Sequence, residues 1–322
     1  MNQSRHHSLS RRGFCFCCVA ATAAGLSGGW LTPREAYAQS RNIVDLIREH
    51  AATDPIEVTR LRRDVSVFQG SGGNVAVLTG PDGKVLVDAG ITASKPRILQ
   101  ALSTLGREPI ARLINTHWHF DHADGNEWLH GEGAAILAHE NTRKHLQSAQ
   151  RVDDWDFNFP ASPSGAIPQE VISADRSLRV NGSTLELTCY APAHTDGDIA
   201  VLFAEADVLH TGDTFWNGIY PFIDYSTGGS IRGMIAAAEA NVRKARDTTI
   251  VIPGHGPVGN RAGLVAFRDM LVAIHANVAA LKARGMSVEQ AIAAHPTAAF
   301  DEVWGKFVVG PDFFTRLVYE GA

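Results

Sequence analysis

Cysteine is nearly absent from most of this 322-residue chain. Three of its four cysteines, Cys15, Cys17 and Cys18, fall within the first 18 residues, so the remainder keeps only Cys189. A lone thiol excludes an intrachain disulfide framework there, and a hydrophobic core has to hold the fold together instead. With 45% apolar and 20% charged residues, a chain of this length has the material for a sizeable core.

An excess of positive charge is also missing. The chain has 29 Lys and Arg against 34 Asp and Glu, which gives a formal net charge of -5. Loss of residues 1–38 would remove four arginines and one glutamate, leaving 25 basic against 33 acidic residues and a net charge of -8. This balance repels nucleic acid and anionic membranes. We therefore expect a small-molecule substrate and no nucleic acid partner.

Residues 1–38 have the pattern of an export signal. Arg11 and Arg12 precede an apolar and small-residue run at 16–31, and Ala36-Tyr37-Ala38 is a small-x-small cleavage site. The pattern resembles a twin-arginine signal peptide, which implies an interaction with the export machinery and a periplasmic or secreted protein. Cleavage is expected after Ala38. An uncleaved anchor is the alternative, although the run is short for a spanning helix of about 20 residues.

The remainder, residues 39–322, is predicted to be a single α/β domain in which short β-branched runs alternate with helical patterns. The predicted strands are at residues 65–68, 74–78, 84–87, 110–114, 135–137, 178–180, 185–189, 199–203, 208–209 and 250–252. The predicted helices are at residues 94–105, 231–244 and 263–284, followed from Met286 by a helical tail. Residues 152–168 mix aromatic residues with Asp, Pro, Ser and Gly and are predicted to form one long loop.

A dense group of metal-binding residue types follows the predicted strand at 110–114. The motif H-W-H-F-D-H at residues 117–122 holds three imidazoles and one carboxylate in six positions. A loop at the end of a strand can turn all four inward, and these groups are ligands for zinc and similar divalent ions. Three further candidates follow strand-like runs, namely His194 in A-H-T-D-G-D, Asp213 in H-T-G-D-T and His255 in P-G-H-G.

These segments resemble the signature of the metallo-β-lactamase superfamily over roughly residues 65–257, and V-L-V-D-A-G at residues 85–90 is similar to its strand-Asp-x-Gly turn. The resemblance implies a four-layer αβ/βα sandwich with the site at one edge, between the two halves. It also implies two divalent metal ions, expected to be zinc. One ion would be held by His117, His119 and His194, the other by Asp121, His122 and His255, with Asp213 bridging them.

The expected reaction is hydrolysis of an acyl-type bond in a lactone, lactam, ester or thioester by metal-bound hydroxide. Two metal ions at the spacing of dinuclear sites lower the pKa of a shared water toward neutrality, so no strong base is needed. Asp121 and Asp213 are the expected catalytic carboxylates, and Asp121 can additionally orient the nucleophile. The alternative is an iron-dependent persulfide or oxygen redox enzyme of the same fold. The flavodiiron type is disfavoured because it would have a glutamate in place of His119.

The residues that follow Asp213 bear on the substrate. The most studied metallo-β-lactamases have a cysteine in place of Asp213 and a lysine in place of Trp216, so only a β-lactamase-like side activity is expected. A homoserine-lactone hydrolase would have a tyrosine shortly after the bridging aspartate, which Tyr220 matches loosely. A glyoxalase of the second type would need basic residues in its C-terminal helices, where this chain has only scattered Lys282, Arg284 and Arg316.

Five further residues are expected to bind substrate or support the ligands. Trp118, Trp216 and Tyr220 are the expected substrate contacts, because aromatic rings would hold an apolar substrate body. Asp88 and His210 are expected to support the metal ligands through hydrogen bonds. The loop at residues 70–73 joins two predicted strands and is expected to be a hairpin tip that folds over the substrate.

Overall fold

Two mixed β-sheets face each other in the computed structural model, which describes residues 42–322. The predicted signal peptide lies outside the described residues. The strands are β1 (Glu57–Arg60), β2 (Val65–Gln69), β3 (Val75–Leu78), β4 (Lys84–Val87), β5 (Ile110–Ile114), β6 (Ala135–His139), β7 (Gln150–Val152), β8 (Phe157–Phe159), β9 (Glu170–Ile172), β10 (Arg176–Val180), β11 (Ser183–Cys189), β12 (Ile199–Phe203), β13 (Val208–His210), β14 (Ile250–Ile252) and β15 (Gly259–Asn260).

The two large sheets each combine antiparallel and parallel pairing. The first has the order β1-β2-β3-β4-β5-β6-β9, antiparallel as far as β4 and parallel from there on. The second has the order β10-β11-β12-β13-β14-β15, in which only β13 and β14 are parallel. A separate antiparallel pair, β7 and β8, corrects the prediction of one long loop at residues 152–168. Each strand of this pair has only three residues, which is too short for the pattern by which a sequence predicts a strand.

The helices lie on the outer faces of these sheets and around the site. They are α1 (Ile43–Ala51), α2 (Lys95–Ser103), α3 (Phe120–Ala123), α4 (Asn126–Gly131), α5 (Glu140–Gln147), α6 (Ile231–Lys244), α7 (Arg261–Ala283), α8 (Val288–Ala293), α9 (Asp301–Trp304) and α10 (Pro311–Gly321). The long helices α6 and α7 begin where the side chains of Ser230 and Asn260 accept hydrogen bonds from the backbone N–H groups of Gly233 and Gly263.

Alternating burial along the strands produces four layers. In β4, Val85 and Val87 face the second sheet, whereas Leu86 faces helices α2 and α4. From the second sheet, Leu187 and Val201 fill the core between the sheets, while the opposite face packs against α6, α7 and α10. Apolar side chains therefore separate every pair of layers, and the predicted αβ/βα sandwich is confirmed.

The helix predicted at residues 94–105 starts differently from the expectation. A short 3₁₀ turn, Thr92–Ser94, precedes α2, and Ser94 makes no capping hydrogen bond. Its hydroxyl instead donates to the carbonyl of Ala51, the last residue of α1. A tertiary contact therefore takes the place of a local cap, and it connects α1 to the first half of the sandwich.

Candidate active site

Seven His and Asp side chains meet where the carboxyl ends of strands from both sheets come together. The motif at residues 117–122 follows β5, and its last two ligand candidates lie in the first turn of α3. The others follow β11, β13 and β14. Their potential ligand atoms form two groups, each with all atoms within 4.8 Å of one another. The groups are His117, His119, His194 and Asp213, and Asp121, His122 and His255.

Asp213 lies between these two groups. Its Oδ1 is 3.1 Å from Nε2 of His122, and its Oδ2 is 3.4 Å from Nε2 of both His194 and His255. The side chain is 2% exposed, so its charge is compensated by these imidazoles rather than by water. This is the geometry that a carboxylate shared by two cations requires.

Asp88 supports one imidazole of each ligand group. Its position after β4 of the first sheet suggested such a role. Its Oδ2 is 2.8 Å from Nδ1 of His122 and accepts a hydrogen bond from the Thr116 hydroxyl at 2.8 Å. That hydroxyl is also 3.0 Å from Nδ1 of His117. One buried carboxylate thus orients two imidazoles, and in both rings Nε2 remains for a ligand.

Asp224 has the corresponding role for His119 and was missed by the sequence analysis. Its Oδ2 is 2.9 Å from Nε2 of His119 and also accepts from the Thr227 hydroxyl at 2.6 Å. The signal in the sequence was the D-Y-S-T segment, typical of a turn in which Asp accepts from backbone N–H groups two and three residues on, here those of Ser226 and Thr227. That pattern identifies the turn but not the imidazole that it meets.

His194 is fixed on both its ring and its backbone. Its Nδ1 donates to the carbonyl of Phe222 at 2.8 Å, and its backbone N–H donates to the carboxyl of Asp198 at 2.7 Å. Asp198 also accepts from the hydroxyl of Thr195 at 2.7 Å. Burial raises the pKa of Asp198 to about 7, despite those hydrogen bonds. Asp198 is a second supporting residue that the sequence analysis did not single out.

The remaining atoms fit a bound cation. Nε2 of His117 and Oδ1 of Asp213 are buried and have no hydrogen-bond partner among residues 42–322, although His122 approaches the latter. Nε2 of His194 lies 2.9 Å from Nδ1 of His119, and the other nitrogen of each ring already faces an acceptor. Two ring nitrogens with free lone pairs cannot bond to each other, whereas a divalent ion accepts both.

The electrostatic balance differs between the two ligand groups. In the second group the effect of burial is outweighed by the carboxylates of Asp213 and Asp121, which raise the pKa of His122 well above its usual value and the pKa of His255 to about 9. A cation would therefore displace protons from these imidazoles.

The first group keeps its lone pairs available. Burial, together with the neighbouring His122, lowers the pKa of His117 well below its usual value, and burial lowers the pKa of His194 to about 4. Burial would raise the pKa of Asp213, but the imidazoles of His255 and His122 outweigh it and hold this pKa well below its usual value. His117 and His194 are therefore neutral and Asp213 ionised at neutral pH, as metal ligands must be.

Two glycines permit the close approach of these loops. A Cβ on Gly73 would lie 2.1 Å from Cε1 of His122, and one on Gly254 would lie 1.9 Å from Oδ1 of Asp213. Any side chain at either position would displace a ligand candidate. The loop at residues 70–73 therefore lies directly over the site, and its Gly72 lines the cavity described next.

His210 supports the backbone rather than a ligand side chain. Its Nε2 donates to the carbonyl of Asn74 at 3.0 Å, and its Nδ1 accepts from the N–H of Gly212 at 3.1 Å. Burial lowers its pKa, which matches this neutral form. The expected hydrogen bond to Asp213 is replaced by one to the preceding residue, so His210 shapes the turn that carries Asp213.

A cavity opens above the seven side chains. Its polar base, here called the floor, consists of His119, Asp121, His194, Asp213 and His255. Its sides, here called the wall, are apolar except for backbone atoms and the indole N–H groups of the two tryptophans, and consist of Ile43, Ile47, Gly72, Phe120, Trp155, Trp216, Phe222, Phe307, Val308 and Val309. Helix α1 and the segment at residues 307–309 were not expected at the site.

Of the three expected substrate contacts, the structure brings only Trp216 to the cavity. Its ring lies 4.3 Å from that of His255. Trp118 is 3% exposed and donates from Nε1 to the hydroxyl of Thr227 at 3.1 Å, behind the wall. Tyr220 is fully buried, and its ring stacks on Phe314 at 4.6 Å. Trp118 and Tyr220 do not line the cavity that the structure describes, because closeness along the chain does not fix the direction of a side chain.

The comparison with known proteins agrees with this geometry. The family model described as the metallo-beta-lactamase superfamily matches residues 69–255, more than half of the chain. A probable metallo-hydrolase of Methanocaldococcus jannaschii is 27% identical over 184 residues, covering 55% of this chain and 84% of that protein. A hydroxyacylglutathione hydrolase of a Polaromonas species is 26% identical over 163 residues, covering 50% of this chain and 54% of that protein.

A solved structure shows the same fold. The metallo-beta-lactamase from Pontibacter korlensis superimposes with a TM-score of 0.56 at 18% identity, covering 67% of this chain and 99% of that one. At this identity the likeness concerns the fold alone, and the polar floor supplies the chemistry. The sequence match, the shared sandwich and the two His and Asp groups lead to one conclusion. The chain belongs to the metallo-beta-lactamase superfamily of metal-dependent hydrolases.

Proposed function

We propose that the protein hydrolyses an acyl-type bond, in a lactone, ester, thioester or lactam, with two divalent metal ions, zinc in the cell. When bound, two such ions lower the pKa of a shared water and supply hydroxide at neutral pH. His117, His119 and His194 would hold one ion and Asp121, His122 and His255 the other, with Asp213 between them. The observation that carries this proposal is the pair of buried, unsatisfied ligand atoms on His117 and Asp213.

The residues of the floor divide the remaining tasks. Asp121 lines the cavity, with its Oδ2 3.2 Å from Nε2 of His255. Burial would raise its pKa, but His122 and His255 outweigh this and lower it, so the carboxylate is ionised at neutral pH. It can accept a hydrogen bond from the attacking water and orient it toward the acyl carbon. Asp88 and Asp224 keep the imidazole rings in place during turnover.

Metal analysis of the purified protein tests this proposal first. We expect about two zinc ions per chain, as in other dinuclear hydrolytic sites, and loss of hydrolysis on chelation with recovery on adding zinc. A panel of lactones, esters, thioesters and β-lactams would then identify the bond. One iron ion per chain, with oxygen uptake in the presence of a persulfide, would instead establish the redox alternative.

β-Lactam hydrolysis is expected only as a side activity. The place that a lysine would need near Asp213 is occupied by Trp216, which packs on His255. No lysine or arginine appears among the cavity-lining residues of the described chain. The substrate carboxylate of a β-lactam therefore has no cationic partner, and we expect lactones or esters to be hydrolysed with higher kcat/KM.

We also propose that the protein is exported through its twin-arginine-type leader to the periplasm or beyond. Support comes from Arg11 and Arg12 ahead of the apolar run and from the small residues Ala36 and Ala38. Replacing both arginines of the pair by lysine should retain the protein in the cytoplasm, as judged by cell fractionation. The matched control is Arg5→Lys, outside the pair. Undiminished export of the double variant would contradict this route.

A further inference from the structure

We infer that the cavity selects substrates whose acyl arm is uncharged and apolar, and that Ile47 of helix α1 is a specificity-determining residue for that arm. The inference rests on the proposed function for the identity of the reacting bond. It depends independently on the wall, whose side chains need no metal ion to be in place. The composition of the wall, the position of nearby charges and the rigidity of α1 support it.

The wall surrounds the floor with mostly apolar side chains. The rings of Trp155 and Phe222 pack in a tilted arrangement with centroids 4.7 Å apart, and Trp155 lies 5.2 Å from the ring of His119. Ile43 and Ile47 of α1 and the segment at residues 307–309 complete the enclosure. An arm extending from the reacting carbonyl would therefore exchange water for apolar contacts along its length.

Two arginines beside this wall are committed elsewhere, and Lys306, which precedes Phe307, is exposed and does not line the cavity. The guanidinium of Arg48 lies over the rings of Phe120 and Phe157 at 5.4 and 5.7 Å and is 3.8 Å from the carboxylate of Asp124. The guanidinium of Arg316 is 2.8 Å from the carboxylate of Asp154. Neither arginine lines the cavity, whereas the carboxylates of Asp121 and Asp213 do.

An anionic group at the end of the arm would consequently be buried among apolar side chains without a partner. Desolvation of an unpaired carboxylate is unfavourable, whereas burial of a methyl group is favourable. This argument disfavours glutathione thioesters as well as β-lactams, because both carry carboxylates. Neutral alkyl or aryl acyl groups have the shape and polarity that the wall accommodates.

Helix α1 is fixed at both ends, so the wall is preformed. At its start, the amide of Asn42 donates to the carbonyls of Trp155 and Asp156 at 3.0 and 3.2 Å. Beyond its end, Asp54 accepts a hydrogen bond from the hydroxyl of Ser71, in the loop over the floor. A helix tied to two different site loops holds Ile47 at a defined place, which specificity requires.

Binding of non-hydrolysable ketones tests the inference directly. Calorimetry would compare 2-pentanone, 2-heptanone and 2-nonanone with 8-oxononanoate, which has the chain of 2-nonanone but ends in a carboxylate. We expect affinity to rise roughly three- to fourfold per methylene group and the terminal carboxylate to lower it at least about tenfold. The titrations use zinc-loaded and chelator-treated protein at about 0.15 M salt, which screens the overall negative charge. The chelator-treated protein decides the comparison of the two nine-carbon ligands, because a carboxylate can itself bind zinc.

The variant Ile47→Lys identifies the residue responsible. A lysine there should weaken 2-nonanone and strengthen 8-oxononanoate, reducing the discrimination at least about tenfold through the new ion pair. The matched control is Leu46→Lys, which adds the same charge to the same helix at a position that does not line the cavity. We expect this control to keep the wild-type preference.

The outcomes separate this inference from the proposed function. Equal affinity for the two nine-carbon ligands, no dependence on chain length, or the same change in both lysine variants would overturn the inference, even if hydrolysis and zinc content are as proposed. Chain-length dependence and charge discrimination in a protein that hydrolyses no acyl bond would support the inference about the wall and refute the proposed reaction.

Discussion

The floor and the wall of the cavity are held in place by different interactions, directional polar bonds in the floor and apolar packing in the wall. In the floor, polar side chains are held by directional hydrogen bonds, as His119 is by Asp224 and His194 is by the carbonyl of Phe222. In the wall, side chains such as Ile47 and Phe307 contribute hydrocarbon area without directional bonds. Directional networks fail when one member is lost, whereas apolar surfaces lose affinity in proportion to the area removed.

This difference implies a graded response to substitution. Changes in the floor should abolish the reaction or the metal affinity. Changes in the wall should shift the preference among substrates, and changes behind the wall should affect only stability.

Asp213→Ala should have the largest effect. It removes the carboxylate between the two ligand groups and leaves the surrounding imidazoles without their negative partner. We expect kcat/KM to fall at least about 10³-fold, since several kcal/mol of transition-state stabilisation are lost. Circular dichroism would show that the variant is folded. Turnover within a few-fold of the wild type would refute the bridging role.

Asp224→Ala should weaken the site without removing a ligand. The imidazole of His119 loses the acceptor that holds its Nε2, and loss of such a partner typically costs about 10- to 100-fold in metal affinity or activity. Competition with a zinc chelator measures the affinity. Asp224→Asn keeps an acceptor oxygen and should retain more affinity than the alanine variant. If the two variants behave alike, the hydrogen bond to His119 is not what matters.

Ile47→Ala should change the wall and leave the floor intact. Loss of about three carbon atoms from the cavity surface should reduce kcat/KM for long neutral acyl substrates several-fold up to about 30-fold, at roughly 0.8 kcal/mol per methylene. An acetyl substrate, too short to reach α1, is the internal control and should be unaffected. An equal loss of kcat/KM for acetyl and octanoyl esters would mean that Ile47 affects the residues of the floor instead of contacting the acyl chain.

Tyr220→Phe should have the smallest effect on catalysis. Its hydroxyl donates to Asp301 at 2.8 Å, away from the cavity, so kcat/KM should stay within about twofold of the wild type. The free energy of unfolding should fall by about 1 kcal/mol, since one buried hydrogen bond is removed. Denaturant titration measures the stability. A marked loss of activity in a variant of wild-type stability would show that Tyr220 does contribute to the substrate site.

The sequence alone determined the site to the extent that its chemistry is local. The motif at residues 117–122 is too dense in imidazole and carboxylate to be explained by packing, and its position after β5 predicted the edge of the sheet at which those groups lie. The apolar run V-L-V at residues 85–87 likewise predicted a strand, which the structure buries on both faces. Asp88 could be anticipated because it follows that strand at the same edge of the sheet.

Only the tertiary structure decided which distant segments complete the cavity. Helix α1 and residues 307–309 lie over 200 positions apart in the chain, and neither segment has a sequence motif that predicts its place beside the other. The partnership of Asp224 with His119 spans 105 positions. A ligand motif is recognisable because its donors must have particular chemistry, whereas a wall requires only apolar side chains that the fold brings together. For this reason the sequence predicted the metal centre, and the structure decided what surrounds it.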